Sequence, residues 1–349
     1  MSSSSRIDTI SLVVGPDHHG VVRHAVTVAV AADVGMMRRR SVALGDLVTL
    51  PDRVRVCHLH YTDRLFGTDA TSAAANLVHL IGVVGGLERC VVVSMHDIPV
   101  VDGTSHSSLR VHAYRQVAAR ADVVVVASAH ERERLRAIGV GAEIRVIPLP
   151  IGEAADAPVA AGGLGFFPVA AGRTVAVLGF IYPGKGHDDV IEASAALPAD
   201  VTVLALGRPS EGHADLAGDL EQLADRRGRR LVVTGSLDDV QLVAALRQVD
   251  VPVVPARTMS SSASLATWIG AGRRPLVAAN DYTREISRAA PGLMTRYDPA
   301  ASGRLADAIC TALADPDTTW HAGDIPSGYS PTAVGRGHRR LYAELAGRS

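Results

Sequence analysis

Cysteine is scarce in this chain. Of 349 residues three are cysteine, Cys57, Cys90 and Cys310. They are far apart and odd in number, with no C-x-x-C pair, so neither a cysteine zinc site nor a dithiol redox motif is expected, and a reducing compartment is. Long apolar runs are missing as well: no stretch of about 18 apolar residues occurs. The start, MSSSSRIDTISLVVG, has no basic patch leading into such a run, and the expectation is a cytoplasmic protein. An excess of either charge is also lacking, since 35 basic residues face 36 acidic ones. A nucleic acid held by bulk charge is therefore excluded as a partner.

What is present is a rhythm. DTISLVVG, VRVCHLHY, CVVVSMHD, DVVVVAS and EIRVIPLP fill the first half; RTVAVLGF, DVTVLALG, RLVVTGS, DVPVVPA and RPLVAAN fill the second. Continuous apolar runs, rather than alternation, mark strands buried on both faces, and the helical segments between them supply the covering layers. The fold class expected is α/β, with two doubly wound parallel-sheet domains. Residues 1–155 form the first domain and 156–173, rich in Ala, Gly and Pro, the linker. Residues 174–325 form the second domain, and 326–349 a last helix that could pack back on the first.

In open parallel sheets ligands bind beyond the carboxyl ends of the strands. After the first strand comes GPDHHGVVRHA, where Gly20 permits a close backbone approach beside His18 and His19. CHLHY puts His58 and His60 on one strand face; zinc would need a third ligand that the sequence does not identify, so no metal site is expected. VVVSMHDIP ends a strand with His96 and Asp97. VLGFIYPGKGH places Lys185 and Gly186 at a helix start, an anion site suited to phosphate. The residue after Lys185 is Gly186 rather than Ser or Thr, so the Walker pattern is absent. TMSSSASLATWIGAG adds Ser260, Ser261, Ser262 and Ser264 at a second helix start, where hydroxyls and free N–H groups suit another phosphate contact or a plain helix cap.

GPDHHG, MHD, ADVVVVASAHERERL, RVIPLPI, GFIYPGKGH, GAGRRPLVAAN and YDPAASGRLADAI, in this order over nearly the whole chain, resemble the family-4 retaining glycosyltransferases. That resemblance implies the GT-B fold, two Rossmann-like domains facing a cleft. It implies catalytic roles for His96, toward the donor sugar, and for Lys185, on the donor diphosphate. Gly20, Gly186, Ser262, Ala263 and Ser264 would join Lys185 on the diphosphate. Gly207, Arg208, Ser236 and Thr267 would hold the nucleotide, and His18, His19, His60 and Asp97 would lie on the acceptor side. No metal and no cofactor is implied, only a nucleotide-diphospho-sugar as co-substrate.

Two departures stand out. The family's arginine before its lysine falls at Phe180 or Tyr182, leaving Arg208, Arg257 or Arg273 to replace it. The family's two glutamates, eight apart, fall at Met259 and Thr267. The expected activity is transfer from a nucleotide sugar, with GDP-mannose as the working donor, to a carbohydrate or glycolipid acceptor. The alternative is a catalytically silent GT-B protein that binds nucleotide, glycan or a partner enzyme. The basic clusters MMRRR and RRGRR raise a weak peripheral contact with the inner membrane face, against a solvated surface turn.

Overall fold

The computed structural model describes residues 8–152 and 172–348, apart from 44, 47, 87, 88 and 322. Most of the expected linker, 156–171, lies outside the described residues. The chain divides into two units, Met1–Pro150 with Ser327–Ser349, and Ile151–Pro326.

The first unit runs β1 Thr9–Val14, α1 Gly20–Ala31, β2 Gly35–Arg39, β3 Val56–Tyr61, α2 Asp63–Phe66 and α3 Ala70–Gly85. It continues with β4 Cys90–Met95, α4 Ser105–Ala118, β5 Val123–Val126, α5 Ala129–Ala137 and β6 Glu143–Val146. The second begins with β7 Thr174–Leu178, α6 His187–Ser194, β8 Thr202–Leu206, α7 Leu216–Arg226, β9 Arg230–Val233 and α8 Asp239–Gln248. Then come β10 Val251–Val254, α9 Ala263–Gly270, β11 Leu276–Ala278, α10 Asp281–Ala289, β12 Thr295–Tyr297 and α11 Arg304–Ala314. The last helix, α12 Pro331–Ala346, belongs to the first unit.

Each unit holds one six-stranded parallel sheet, ordered β2-β1-β3-β4-β5-β6 and β12-β11-β10-β7-β8-β9. Sequence and burial agree on why: every residue of TVAVL in β7, and of TVLAL in β8, is buried, as strands covered on both faces require. Both sheets put their first strand beside a later one, β1 next to β3 and β7 next to β10, and the strand order reverses there. The loops after these strands are where a doubly wound sheet opens a crevice.

Two strands escape the apolar-run reading. The MMRRR segment, taken above as a surface cluster, forms the edge strand β2, paired with β1 from Ile10 and Gly35 to Val14 and Arg39. An edge strand needs no second buried face and tolerates charge; Arg38 and Arg39 are exposed, and Arg38 pairs with Asp17. The other, β12, is three residues long, also at an edge.

α12 closes the first unit. Gly335 lets it touch α1, since a Cβ there would fall 2.1 Å from the Ala31 carbonyl oxygen. Leu341, Tyr342 and Leu345 pack on Val56, Val92 and Val123 of the sheet; burying each leucine contributes about 1.5–3 kcal/mol. No helix among the described residues is long and apolar enough to cross a membrane.

Candidate functional site

In the second unit the loop after β7 turns twice through left-handed backbone. Gly184 has φ +85° and Gly186, the N-cap of α6, φ +89°. A side chain at Gly186 would also meet Pro255 at 2.9 Å, so only glycine lets the helix start this close to the end of β10. Between these glycines stands Lys185, the only lysine in the chain. It is 7% exposed, and its Nζ donates to Ser264 Oγ at 3.1 Å. Burial, with no carboxylate contributing, pulls its ammonium down to about 8.

Ser264 arrives from α9. Ser262 is the N-cap of that helix, its Oγ accepting from Leu265 N at 3.1 Å and lying 3.1 Å from Ser264 Oγ. Ala263 and Ser264 occupy the first turn, where backbone N–H groups have no intrahelical acceptor. Two helix N-termini, two hydroxyls and one ammonium thus belong to one hydrogen-bonded group. Beside it His187 is buried, its Nε2 unpartnered among the described residues, and burial followed by Lys185 drives it to about 3. The sequence reading gave His187 no role, although it follows the glycine pair directly.

Other candidates in this unit are less tightly joined. Gly207 packs against the loop, its hypothetical Cβ only 2.1 Å from the Gly179 carbonyl oxygen. Arg208 holds its guanidinium 5.2 Å above the Phe180 ring. Thr267 donates to the Ala263 carbonyl one turn back at 2.9 Å, leaving its oxygen lone pairs for an outside donor. Ser236 is exposed after β9. Of the three arginines offered as replacements, Arg273 is corrected: it is 1% exposed, donates to the carbonyls of Leu246, Asp250 and Thr319, and stacks 4.2 Å from the Trp320 ring. It ties α8, α9 and the segment after α11 together, so its charge does not reach a ligand. Arg257 is held by both oxygens of Asp189.

In the first unit the β1–α1 loop has its obligatory glycine at Gly15, with φ +121° and Leu65 Cδ2 2.6 Å from a hypothetical Cβ. Gly20 is different: it opens α1 and nothing lies within 4 Å of the position its Cβ would take. His19 caps α1, its Nδ1 accepting from Val21 N at 3.2 Å, while His18 is exposed. Asp97, just past β4, is exposed with φ +52°, a conformation non-glycine residues rarely adopt. Its Oδ2 accepts from Thr62 at 3.1 Å and its carbonyl from Arg110 at 2.8 Å.

The carboxyl ends of β3 and β4 carry a group of imidazoles. His60 and His96 face each other with Nδ1 and Nε2 3.2 Å apart. His24 of α1 stands edge-on to both, at ring-centre distances of 5.4 and 5.3 Å. His58, the residue paired with His60 in the sequence reading, is used otherwise: its Nδ1 bonds Tyr342 Oη at 2.6 Å and its Nε2 Ser94 Oγ at 2.8 Å. Burial, then the charge of neighbouring imidazoles, holds the group far below the ordinary histidine range, to about 3 for His24 and about 4 for His96. All are neutral at pH 7.

No protein-family model and no curated protein matches the chain. Solved structures do. The chain is similar to the UDP-forming α,α-trehalose-phosphate synthase of Burkholderia xenovorans, solved with glucose-6-phosphate. There the TM-score is 0.70 at 12% identity, over 98% of this chain and 100% of that one. It is similar to sucrose-phosphate synthase from Thermosynechococcus elongatus, with TM-score 0.69 and 15% identity over 98% and 100%. It is also similar to HepE of Anabaena, solved with UDP-glucose, with TM-score 0.68 and 16% identity over the same shares. The shared property is the fold: two Rossmann-like parallel-sheet domains of the GT-B type, as found in glycosyltransferases.

Proposed function

We propose that the protein is a glycosyltransferase whose second unit binds a nucleotide-diphospho-sugar. One observation carries this reading. Lys185 is a buried cation with no acidic partner among the described residues, set beside N-terminal backbone donors and serine hydroxyls. An unpaired buried charge is costly, and the serine hydroxyls and first-turn N–H groups beside it are suited to an anion; Asp188 and Asp189, in the first turn of α6, are acidic. A diphosphate supplies the missing charge.

In the proposed reaction the bond from the sugar's anomeric carbon to the diphosphate oxygen breaks, and one to an acceptor hydroxyl forms. The acceptor proton passes to the departing diphosphate. Lys185, Gly186, Ser262, Ala263 and Ser264 stabilise the charge that develops there, with Gly20 giving backbone access where no side chain intervenes. His96 meets the sugar being moved, with His18, His19, His60 and Asp97 on the acceptor side and retention of anomeric configuration. Gly207, Arg208, Ser236 and Thr267 hold the nucleotide. Met259 and Thr267 leave ribose and sugar to neutral hydrogen bonds, weaker than charge-assisted ones by roughly 1 kcal/mol.

UDP-glucose bound in one similar structure and a UDP-forming reaction in another favour a UDP-sugar over the GDP-mannose first expected, and glucose-6-phosphate bound in the latter favours a phosphorylated or free sugar acceptor over a glycolipid. Membrane contact has no place in this reading. Within RRGRR, Arg227 pairs with Glu192 and Arg229 donates to the carbonyls of Pro198, Ala195 and Leu197.

The test is thermal unfolding against a panel of UDP-, GDP- and ADP-sugars. A ligand at a hundred times its dissociation constant adds about 2.7 kcal/mol. The expected result is a shift with one nucleotide class that Lys185→Ala removes. A shift that survives Lys185→Ala, or none with any donor, overturns the reading.

A further inference from the structure

The group of imidazoles in the first unit has a geometry that the transfer reading does not use. His24, His60 and His96 each offer one nitrogen, and the three nitrogens lie within 4.8 Å of one another. Their ring centres form a nearly equilateral triangle with edges of 5.3, 5.4 and 5.5 Å. For a zinc-like ion with imidazole nitrogens at about 2.0–2.1 Å in tetrahedral directions, ring centres fall about 5.2 Å apart and the nitrogens about 3.3 Å apart. The triangle already has the first spacing, and His60 Nδ1 with His96 Nε2, at 3.2 Å, has the second.

The rings are also poorly satisfied as a plain buried cluster. His60 is 4% exposed, and its Nε2 meets no hydrogen-bond partner among the described residues. An ion on Nδ1, the nitrogen that faces His96, fixes the proton on Nε2, so the site rests on the Nδ1 side. His58, by contrast, is satisfied at both nitrogens, and its ring lies 4.4 Å from that of His60. It acts as the wall that fixes the His60 ring rather than as a ligand.

We propose that His24, His60 and His96 bind a divalent transition-metal ion, zinc in the first instance, leaving a fourth position for water or a ligand oxygen. Three neutral imidazoles without a carboxylate suit zinc, copper or nickel and are a poor match for magnesium or calcium, which take oxygen ligands. α1 supplies one ligand, β3 another and the turn after β4 the third, so the ion bridges three elements. His60 and His96 are shared with the proposed transfer chemistry, and an ion bound here withdraws both from a sugar.

The test is binding of the metal alone to the full chain after chelator treatment, independent of any sugar donor. Zinc affinity is measured by competition with a chromogenic chelator, and cobalt(II) is added as a spectroscopic substitute. The expected result is one ion per chain, an intense visible cobalt spectrum of tetrahedral type, and affinity at least about tenfold weaker in His24→Ala. His106→Ala, at an exposed position of α4, leaves affinity unchanged. His24 has no role in the transfer reading, so this outcome stands or falls apart from the nucleotide-sugar panel. Should His24→Ala misfold, the cobalt spectrum of the unaltered chain decides alone. Weak octahedral-type absorption, no binding, or equal losses in His24→Ala and His106→Ala would overturn the proposal.

Discussion

The ammonium of Lys185 and the hydroxyl of Ser264 meet at 3.1 Å across 79 residues of sequence, the one from the N-terminal end of α6 and the other from the first turn of α9. A cation is held there at a cost, because burial lowers its titration from 10.5 to about 8. The folded state thus favours the neutral amine, and below about pH 8 the charge costs stability in full. The cost fades as pH rises from there toward 10.5 and vanishes above it.

Lys185→Met is therefore expected to stabilise the ligand-free protein at pH 7, by up to roughly 3 kcal/mol, while abolishing any thermal shift from a nucleotide sugar. Denaturant melts at pH 7 and pH 10.5 check the sign: the gain shrinks at the higher pH. A loss of stability at pH 7 would show that the ammonium is compensated within the protein and needs no anion.

Two glycines separate structural from functional need. Gly186→Ala places a Cβ 2.9 Å from Pro255 at φ +89°, with an expected loss of about 1–3 kcal/mol. Gly20→Ala meets open space and is expected to leave stability within about 0.5 kcal/mol, yet to weaken nucleotide-sugar binding. Paired melts and thermal shifts test both, and undiminished binding in Gly20→Ala would remove Gly20 from the diphosphate group.

Arg273 and Arg208 make a similar contrast. Arg273→Ala takes the guanidinium donor from the carbonyls of Leu246 and Asp250 and leaves that of Thr319 only Arg274 N, and is expected to cost more than about 3 kcal/mol. Arg208→Ala loses a stack on Phe180, about 0.5–1 kcal/mol, and its larger effect falls on nucleotide affinity. Equal stability losses in the two would contradict this division.

Ser262→Ala removes the N-cap of α9 and the neighbour of Ser264. A cost of about 1 kcal/mol is expected, together with weaker donor binding; Ser262→Asp restores the cap but not the binding, since it adds a negative charge beside the diphosphate. Urea unfolding and the thermal-shift panel read the two effects separately.

How far these features could be read from the sequence depended on locality. TVAVL and TVLAL announce buried strands because four apolar residues run on without alternation after the opening threonine, and GKGH announces a helix start because glycine and lysine stand together. Gly35–Arg39 hid because an edge strand is free to be polar. Arg273 misled because an arginine after a glycine looks available until the carbonyls around it are in place. His24 could not be found at all: it lies mid-helix, 36 residues before His60 and 72 before His96, and only the turn of α1 over β3 makes the three one group. Lys185 carried a signal that local spacing does not register, its being the chain's sole lysine.

The seam between α1 and α12 bears on how the molecule comes into being. Gly335 reaches Ala31 at a separation that only backbone contact allows, and Tyr342 holds His58 from 284 residues away. During synthesis the first sheet is complete once β6 has emerged, but its covering layer is not. The Ile151–Pro326 unit is contiguous and can fold as its own segment leaves the ribosome, domain by domain, whereas the unit that begins first must finish last. Until the final turns of α12 are delivered, Val56, Val92 and Val123 stay bare, and a nascent chain arrested before them is a client for chaperones.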